Sequence, residues 1–400
     1  VQMGRTSEML GVLSAESART DLSFSRQVDA QERLIAGNLA ADRVEDAVRV
    51  MQKIINLDAS QKTTAEKAAF AGDRLDQSLA LAKLGRLLGK PEWVAEGMRV
   101  FEESVEKTLD GITERDSYET ESRIRLFYQA LLDSHQYAKA ESLLVKVIAK
   151  KIKPSKSPRP YYSEPEAPTE ELMMLAQVYY QAGRYPDILD LLEKAPWWGV
   201  KDLMDVYHNF SYDGTALPIM AAQGLQSAGR TAEAIKILKT SIELSPGDDD
   251  AYVLLDKIAK EDWIPWLDSL YQRDRFEERP LIWKAHLLQK AGKLDEAEKT
   301  ILEALHVDPT DGETKSGNRV RAYTVMSEIK AAKGKQDDAK FFADVVEAVR
   351  IAEHGDELTG AGLITQSIAE YEKAQAHFAD AYCVQWRLAK RFDELGKTEE

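Results

Sequence analysis

The sequence predicts an all-α chain in which paired helices repeat and stack as a solenoid, and three observations predict it. Strong helix formers (Ala, Leu, Glu, Lys, Gln, Arg) recur along all 400 residues, while 13 Pro and 22 Gly are few for a protein of tight β turns. Two windows match position for position: Ala222, Leu225, Gly229, Ala234, Leu238 and Pro246 against Ala285, Leu288, Gly292, Ala297, Ile301 and Pro309. The apolar positions of each window fall on one face of two successive helices: Leu281, Ala285 and Leu288, then Leu294, Ala297, Ile301 and Ala304.

The spacing of the two windows is the same: 7 residues from Ala to Gly, 5 from Gly to the next Ala, 12 from that Ala to Pro. Gly292 falls where the chain must turn and a positive φ is cheapest in glycine. Ala285 and Ala297 are small, so two helix backbones can approach to ~8–10 Å. Pro309 ends the second helix. Each pair carries an apolar face that only a stacked neighbour can bury.

Weaker copies follow along the chain. Leu34, Ala47, Met51 and Ile54 form a divergent copy with Asp42 at the turn. Leu79 to Leu88 and Val94 to Val105 form a pair without the signature. Tyr128, Leu131, Tyr137, Ala140 and Leu144 repeat the theme with His135 at the turn. Ala176, Tyr179, Gly183, Tyr185 and Ala195-Pro196 repeat it again, with Ile188 at the second small position. Ala251 to Ala259 and Trp263 to Tyr271 read as a further pair. Gly334 and Ala339 mark another, and Ala343 to Ala352 with Ile364 to Phe378 one more. Ala389, Phe392 and Gly396 open a last copy whose second helix is missing. The total is roughly nine or ten helical pairs.

Five prolines between Ile152 and Pro168 predict a linker, so the expected organisation is a divergent N-terminal array (1–151), the linker (152–168) and a C-terminal array (169–400). Residues 197–215, opening Trp-Trp-Gly, read as an insertion that is extra core or a lid, and 312–319 as a shorter polar loop. A start at Val1 and a stop in mid-pattern at Glu400 read as truncation at both ends.

The six-position match resembles the tetratricopeptide repeat, a helix–turn–helix unit, and the resemblance implies a TPR-like α-α superhelix. From about Ala195 onward the chain also resembles a subfamily of bacterial repeat proteins without an assigned reaction, through 274–280 (DRFEERP) and 380–385 (DAYCVQ). The resemblance implies that first helices line a concave face. Mapped residue by residue, it puts Met173, Gln177, Tyr180, Gln223, Gln226, Trp283, His286, Gln289, Trp386 and Lys390 there. Amides, aromatics and a methionine suit peptide recognition. The Lys, Asn and Arg cluster that clamps a C-terminal carboxylate in chaperone-binding relatives is missing, so chaperone-tail binding is not expected.

Composition narrows the rest. With 44% hydrophobic and 30% charged residues the chain can bury a core. A net charge of −15 disfavours phosphate backbones and anionic lipid, so neither nucleic-acid nor peripheral membrane binding is expected. No stretch reaches ~18 apolar residues, so membrane insertion is not expected. The chain reads as soluble, with export open to it if an N-terminal signal has been removed.

The search for chemistry finds no cofactor, metal or catalytic constellation. Gly396-Lys397-Thr398 lacks the upstream glycine of a phosphate loop, and Thr359-Gly360-Ala361-Gly362 follows no strand. The 6 histidines have no metal-ligand spacing, and the lone Cys383 has no base beside it in sequence. Glu277-Glu278 among Arg273, Arg275 and Arg279 reads as a solvated face or a small salt-bridge network. Asp248-Asp249-Asp250 reads as a helix N-cap. Trp197, Trp198, Trp263 and Trp266 form a second aromatic group. The resulting expectation is a protein-binding scaffold rather than an enzyme. Its rivals are a structural spacer in a larger bacterial complex and, third, an all-helical toroid enzyme using paired carboxylates.

Overall fold

The computed structural model describes residues 6–58, 62–110, 118–151, 169–194, 216–307, 318–379 and 382–394. Among these residues there are 19 helices and no strand. The Pro-rich segment, the Trp-rich insertion with Trp197 and Trp198, most of the 312–319 loop and Gly396-Lys397-Thr398 lie outside the described residues, as does the Cys383 side chain.

The local signals act as physical chemistry requires. Glu45 and Asp46 sit in the first turn of helix Val44–Ile55 and Lys53 in its last, opposing the helix dipole at each end. Helix Thr64–Leu87 opens with a capping box. Glu66 N donates to Thr63 Oγ1 at 3.3 Å, and Thr63 N donates to Glu66 Oε2 at 3.0 Å. Pro218, Pro265 and Pro280 each lie in the first turn of a helix, where a missing N–H costs nothing.

Between paired helices the chain turns through one left-handed residue. At Gly229 and Gly292 φ is 76° and 74°. Each closes the helix with the same two bonds, Gly229 N to Gln226 O and Arg230 N to Leu225 O, and Gly292 N to Gln289 O and Lys293 N to Leu288 O. Asp42 (φ 59°) and His135 (φ 55°) make the same turn without being glycine. Their bonds are equivalent, including Arg43 N to Asn38 O at 2.8 Å and Gln136 N to Leu131 O at 2.8 Å.

The small residues of the repeat sit where the helices cross: Ala222, Ala234, Ala285 and Ala297 are all 0% exposed. The chain divides into two compact units, Val1–Gly111 with Asp344–Glu400, and Ile112–Ala343. This division does not fall at the prolines. Helix Tyr137–Lys151 packs directly on helix Thr169–Gln181: Ile148 joins the cluster of Leu172, Ala176 and Ile188, and Tyr179 OH donates to Glu141 Oε1 at 3.1 Å. Helices on either side of the prolines therefore share one core. In the same unit a second cluster runs from Ile219 to Trp283 and a third from Leu281 to Ile329.

In the other unit, Phe24, Ile35, Leu39, Met51 and Leu81 share a core with Leu358 and Leu363, far away in sequence. One boundary expectation is corrected here. Gln336–Gly360 is a single 25-residue helix, so the segments after Gly334 and before Gly362 belong to one element and not to two pairs. Nothing between them requires a left-handed residue or a proline, and Gly355 accommodates the Tyr371 ring: a Cβ there would lie 2.4 Å from Tyr371 Cε1.

Candidate binding face

The face is built from the first helices of successive pairs. We label helix Thr169–Gln181 α1, Leu217–Ser227 α2, Asp249–Ile258 α3, Arg279–Lys290 α4 and Asn318–Ala332 α5. Counting back from the left-handed turn glycines 183, 229 and 292, Gln177, Gln223 and His286 each stand 6 residues before the turn. Tyr180, Gln226 and Gln289 each stand 3 before it. These six sequence-predicted residues therefore occupy equivalent places on their helices.

Their surroundings differ. Gln177 is buried, and Met173 and Tyr180 lean on the Leu172–Ile188 cluster, Tyr180 also meeting Tyr185 at 5.9 Å between ring centroids. Gln223 Nε2 donates to Gln226 Oε1 at 3.2 Å, an amide pair within α2. In α4, His286 Nε2 lies 3.2 Å from Asp256 Oδ2 of α3, and its Nδ1 lies 3.7 Å from Glu328 Oε2 of α5. Lys290 Nζ donates to both oxygens of Asp256, at 2.8 and 3.0 Å. Gln289 is half-buried beside them.

Sequence reasoning missed Asp256, Lys290 and Glu328. The signal for Glu328 was present: it stands 6 residues before Gly334, the place His286 holds before Gly292. Among the described residues, no group of three or more His, Cys, Asp or Glu is placed to hold a metal ion, this cluster included.

Trp283 is corrected. It is 3% exposed and belongs to the core, not to the face. Its ring stacks on Tyr252 at 5.6 Å and 7°, and Trp263 meets it at 6.2 Å. Its Nε1 donates to Asp249 Oδ1 at 2.9 Å. A residue 9 before the turn points back between helices, and a ring as large as indole fills that gap.

Residues 248–250 do open a helix, with Asp248 at the N-cap position but without a side-chain cap bond, and Asp249 in the first turn is buried: Arg279 Nη1 lies 2.8 Å from its Oδ1, and Arg321 Nη2 donates to its Oδ2 at 2.6 Å. Glu278 and Arg279 are buried too, so the run 273–279 is not one solvated face. Burial drives the Tyr252 phenol well above its ordinary pKa, with Glu277 adding to the effect.

Trp386 and Lys390 lie in the other compact unit, on helix Tyr382–Glu394. Trp386 is 54% exposed, with Lys390 Nζ 5.2 Å above its ring.

Residues 279–311 match the family model of the tetratricopeptide repeat. None of the curated proteins matches the chain. Among solved structures, the TPR domain of P58(IPK) is 16% identical over 100% of this chain and 95% of that one, with a TM-score of 0.22. The human IFIT1 dimer with m7Gppp-AAAA is 15% identical over 98% of this chain and 70% of that one, with a TM-score of 0.25. These scores leave the functional argument to the chain's own residues. The matched window and the turn geometry define an all-helical repeat protein of the helix–turn–helix kind. The chain contains a tetratricopeptide repeat at residues 279–311. Among the described residues no helix is long and apolar enough to cross a membrane.

Proposed function

We propose that this chain is a protein-binding scaffold that holds a peptide or protein partner along α1, α2 and α4. Stacked helical repeats generally serve protein interaction through such surfaces. The observation that carries the reading is the equivalence of positions. Amide, imidazole and phenol groups recur 6 and 3 residues before successive turns, at Gln223 and His286 and at Tyr180, Gln226 and Gln289. These groups offer donors and acceptors at little cost in net charge, which suits an extended backbone. The net charge of −15 supports a protein rather than a nucleic-acid partner.

Catalysis is not part of this reading. Asp256, the carboxylate nearest His286, is held by two bonds from Lys290, which opposes a general-base role. The test is capture of partners by the wild-type chain and by Gln223→Ala/Gln289→Ala, with circular dichroism confirming an unchanged fold. Loss of at least one partner supports the face. Retention of every partner overturns it. Trp283 is unsuitable for this test because its removal empties a core.

A further inference from the structure

Repeat arrays ordinarily transmit stability only between neighbours, because each repeat touches the next and nothing else. The unit formed by Val1–Gly111 and Asp344–Glu400 departs from that rule. Leu363 is completely buried in the same core as Leu39, Ala47 and Ile54. At the neighbouring turn, a Cβ on Gly362 would lie 3.3 Å from Leu39 Cδ1, so the two segments meet at van der Waals range. Lys83 Nζ donates to Gly360 O at 3.5 Å. Across the same junction Gln366 Nε2 donates to the Asp42 carboxylate.

Asp42 is the informative residue. It occupies a left-handed turn where glycine fits with less strain, at φ 59°. Its side chain supplies what glycine lacks, an acceptor for a helix 324 positions further along the chain. We infer that the Leu39–Leu363 contact, braced by Asp42 and Gln366, is a latch that makes residues 24–55 and 358–377 open and close together. Loosening the later helices then loosens the earlier ones, although most of the chain runs between them.

Hydrogen exchange on the full chain tests this, reading amide protection segment by segment. Leu363→Ala should speed exchange at least about tenfold in 364–377 and also in 24–55, since emptying a buried leucine site costs more than a factor of ten in stability. Exchange in 264–304 should stay as in the wild type. Gln366→Ala should give the same pattern at smaller size. Ile301→Ala serves as the control, because Ile301 packs with Ala285, Ala297 and Met326, outside both coupled segments. Its effect should fall on 279–332 and spare 24–55 and 358–377. The latch is overturned if Leu363→Ala leaves 24–55 at wild-type rates, or if Ile301→Ala speeds 24–55 equally. Should Leu363→Ala fail to fold, Gln366→Ala is judged by the same criterion.

Discussion

Trp283 Nε1 donates to Asp249 Oδ1 at 2.9 Å, and this bond joins an aromatic core to a buried ion cluster. Asp249 also faces Arg279 and Arg321, so donors from two other helices converge on one carboxylate. It sits in the first turn of its helix, where the dipole favours a negative charge. Tyr252, one turn along, stacks on the same indole. One short helix thus supplies both the polar pin and the apolar wall.

Asp249→Ala should therefore destabilise the chain strongly. Removing one partner from a buried ion pair typically costs about 3–5 kcal/mol, because the other charge keeps its desolvation penalty. Trp283→Phe keeps an aromatic ring and loses mainly the Nε1 bond and some volume, at about 1–3 kcal/mol. Urea denaturation followed by circular dichroism should rank Asp249→Ala below Trp283→Phe. The reverse order would mean that packing rather than charge dominates this site.

The turns give a prediction of opposite sign. His135 holds φ 55° and its ring makes a local contact, Nδ1 to Tyr137 OH at 2.9 Å. Glycine there relieves left-handed strain of ~1–2 kcal/mol while adding unfolded-state entropy, leaving a net gain below about 1 kcal/mol. Gly292→Ala should lose about 1 kcal/mol for the same reason. Thermal melting of both variants checks the pair. If both shift the same way, the turn conformation is not what sets these positions.

How much of this was legible depended on whether a signal was local. Turn residues Asp42 and His135 could be read because the helical pattern on each side fixes where the chain reverses. The crossing alanines could be read because spacing alone puts them on the buried face. Asp249 could not: three adjacent aspartates look like a cap, and only Arg279 and Arg321 arriving from other helices make one of them a core residue. Trp283 shares a helix face pattern with His286, and sequence does not say on which side of that face a ring turns inward. The junction of Leu39 with Leu363 was invisible, since no periodicity joins segments so far apart.

Acid should act in opposite ways through Glu298 and through the pair Glu32 and Asp73. Hydrogen bonds from Lys330 and Lys333 hold the Glu298 carboxyl at about 2, below its ordinary 4.5. A carboxyl lowered by folding contributes stability that is present above pH 4.5 and is lost as pH falls toward 2. Glu32 and Asp73 are raised instead. Burial is the main cause for both, followed for Asp73 by Asp76 and Asp29, while for Glu32 a bond from Gln77 partly opposes the shift. A carboxyl raised by folding costs stability at neutral pH and regains it as pH falls through its folded value. Glu32→Gln should therefore raise the urea midpoint at pH 7 and lose that advantage near pH 4, whereas Glu298→Gln should lower it at pH 7. A Glu32→Gln midpoint below wild type at pH 7 would contradict the reading that burial penalises the charged Glu32.

Ala297 tests the repeat itself. It is 0% exposed, packed in one cluster with Ala285, Ile301 and Met326, and carries the second small position of the matched window. Ala297→Leu adds three carbons at a close crossing, with a typical overpacking cost of ~1–3 kcal/mol. Ala297→Arg adds more bulk than leucine and a charge that the cluster cannot solvate, so its cost should exceed that of leucine. At Leu302, which is exposed on the same helix, arginine should be close to neutral. Thermal melting of the three variants gives the order directly. If Ala297→Arg melts with Leu302→Arg, residue 297 does not lie at a helix crossing and the register drawn from the two windows fails.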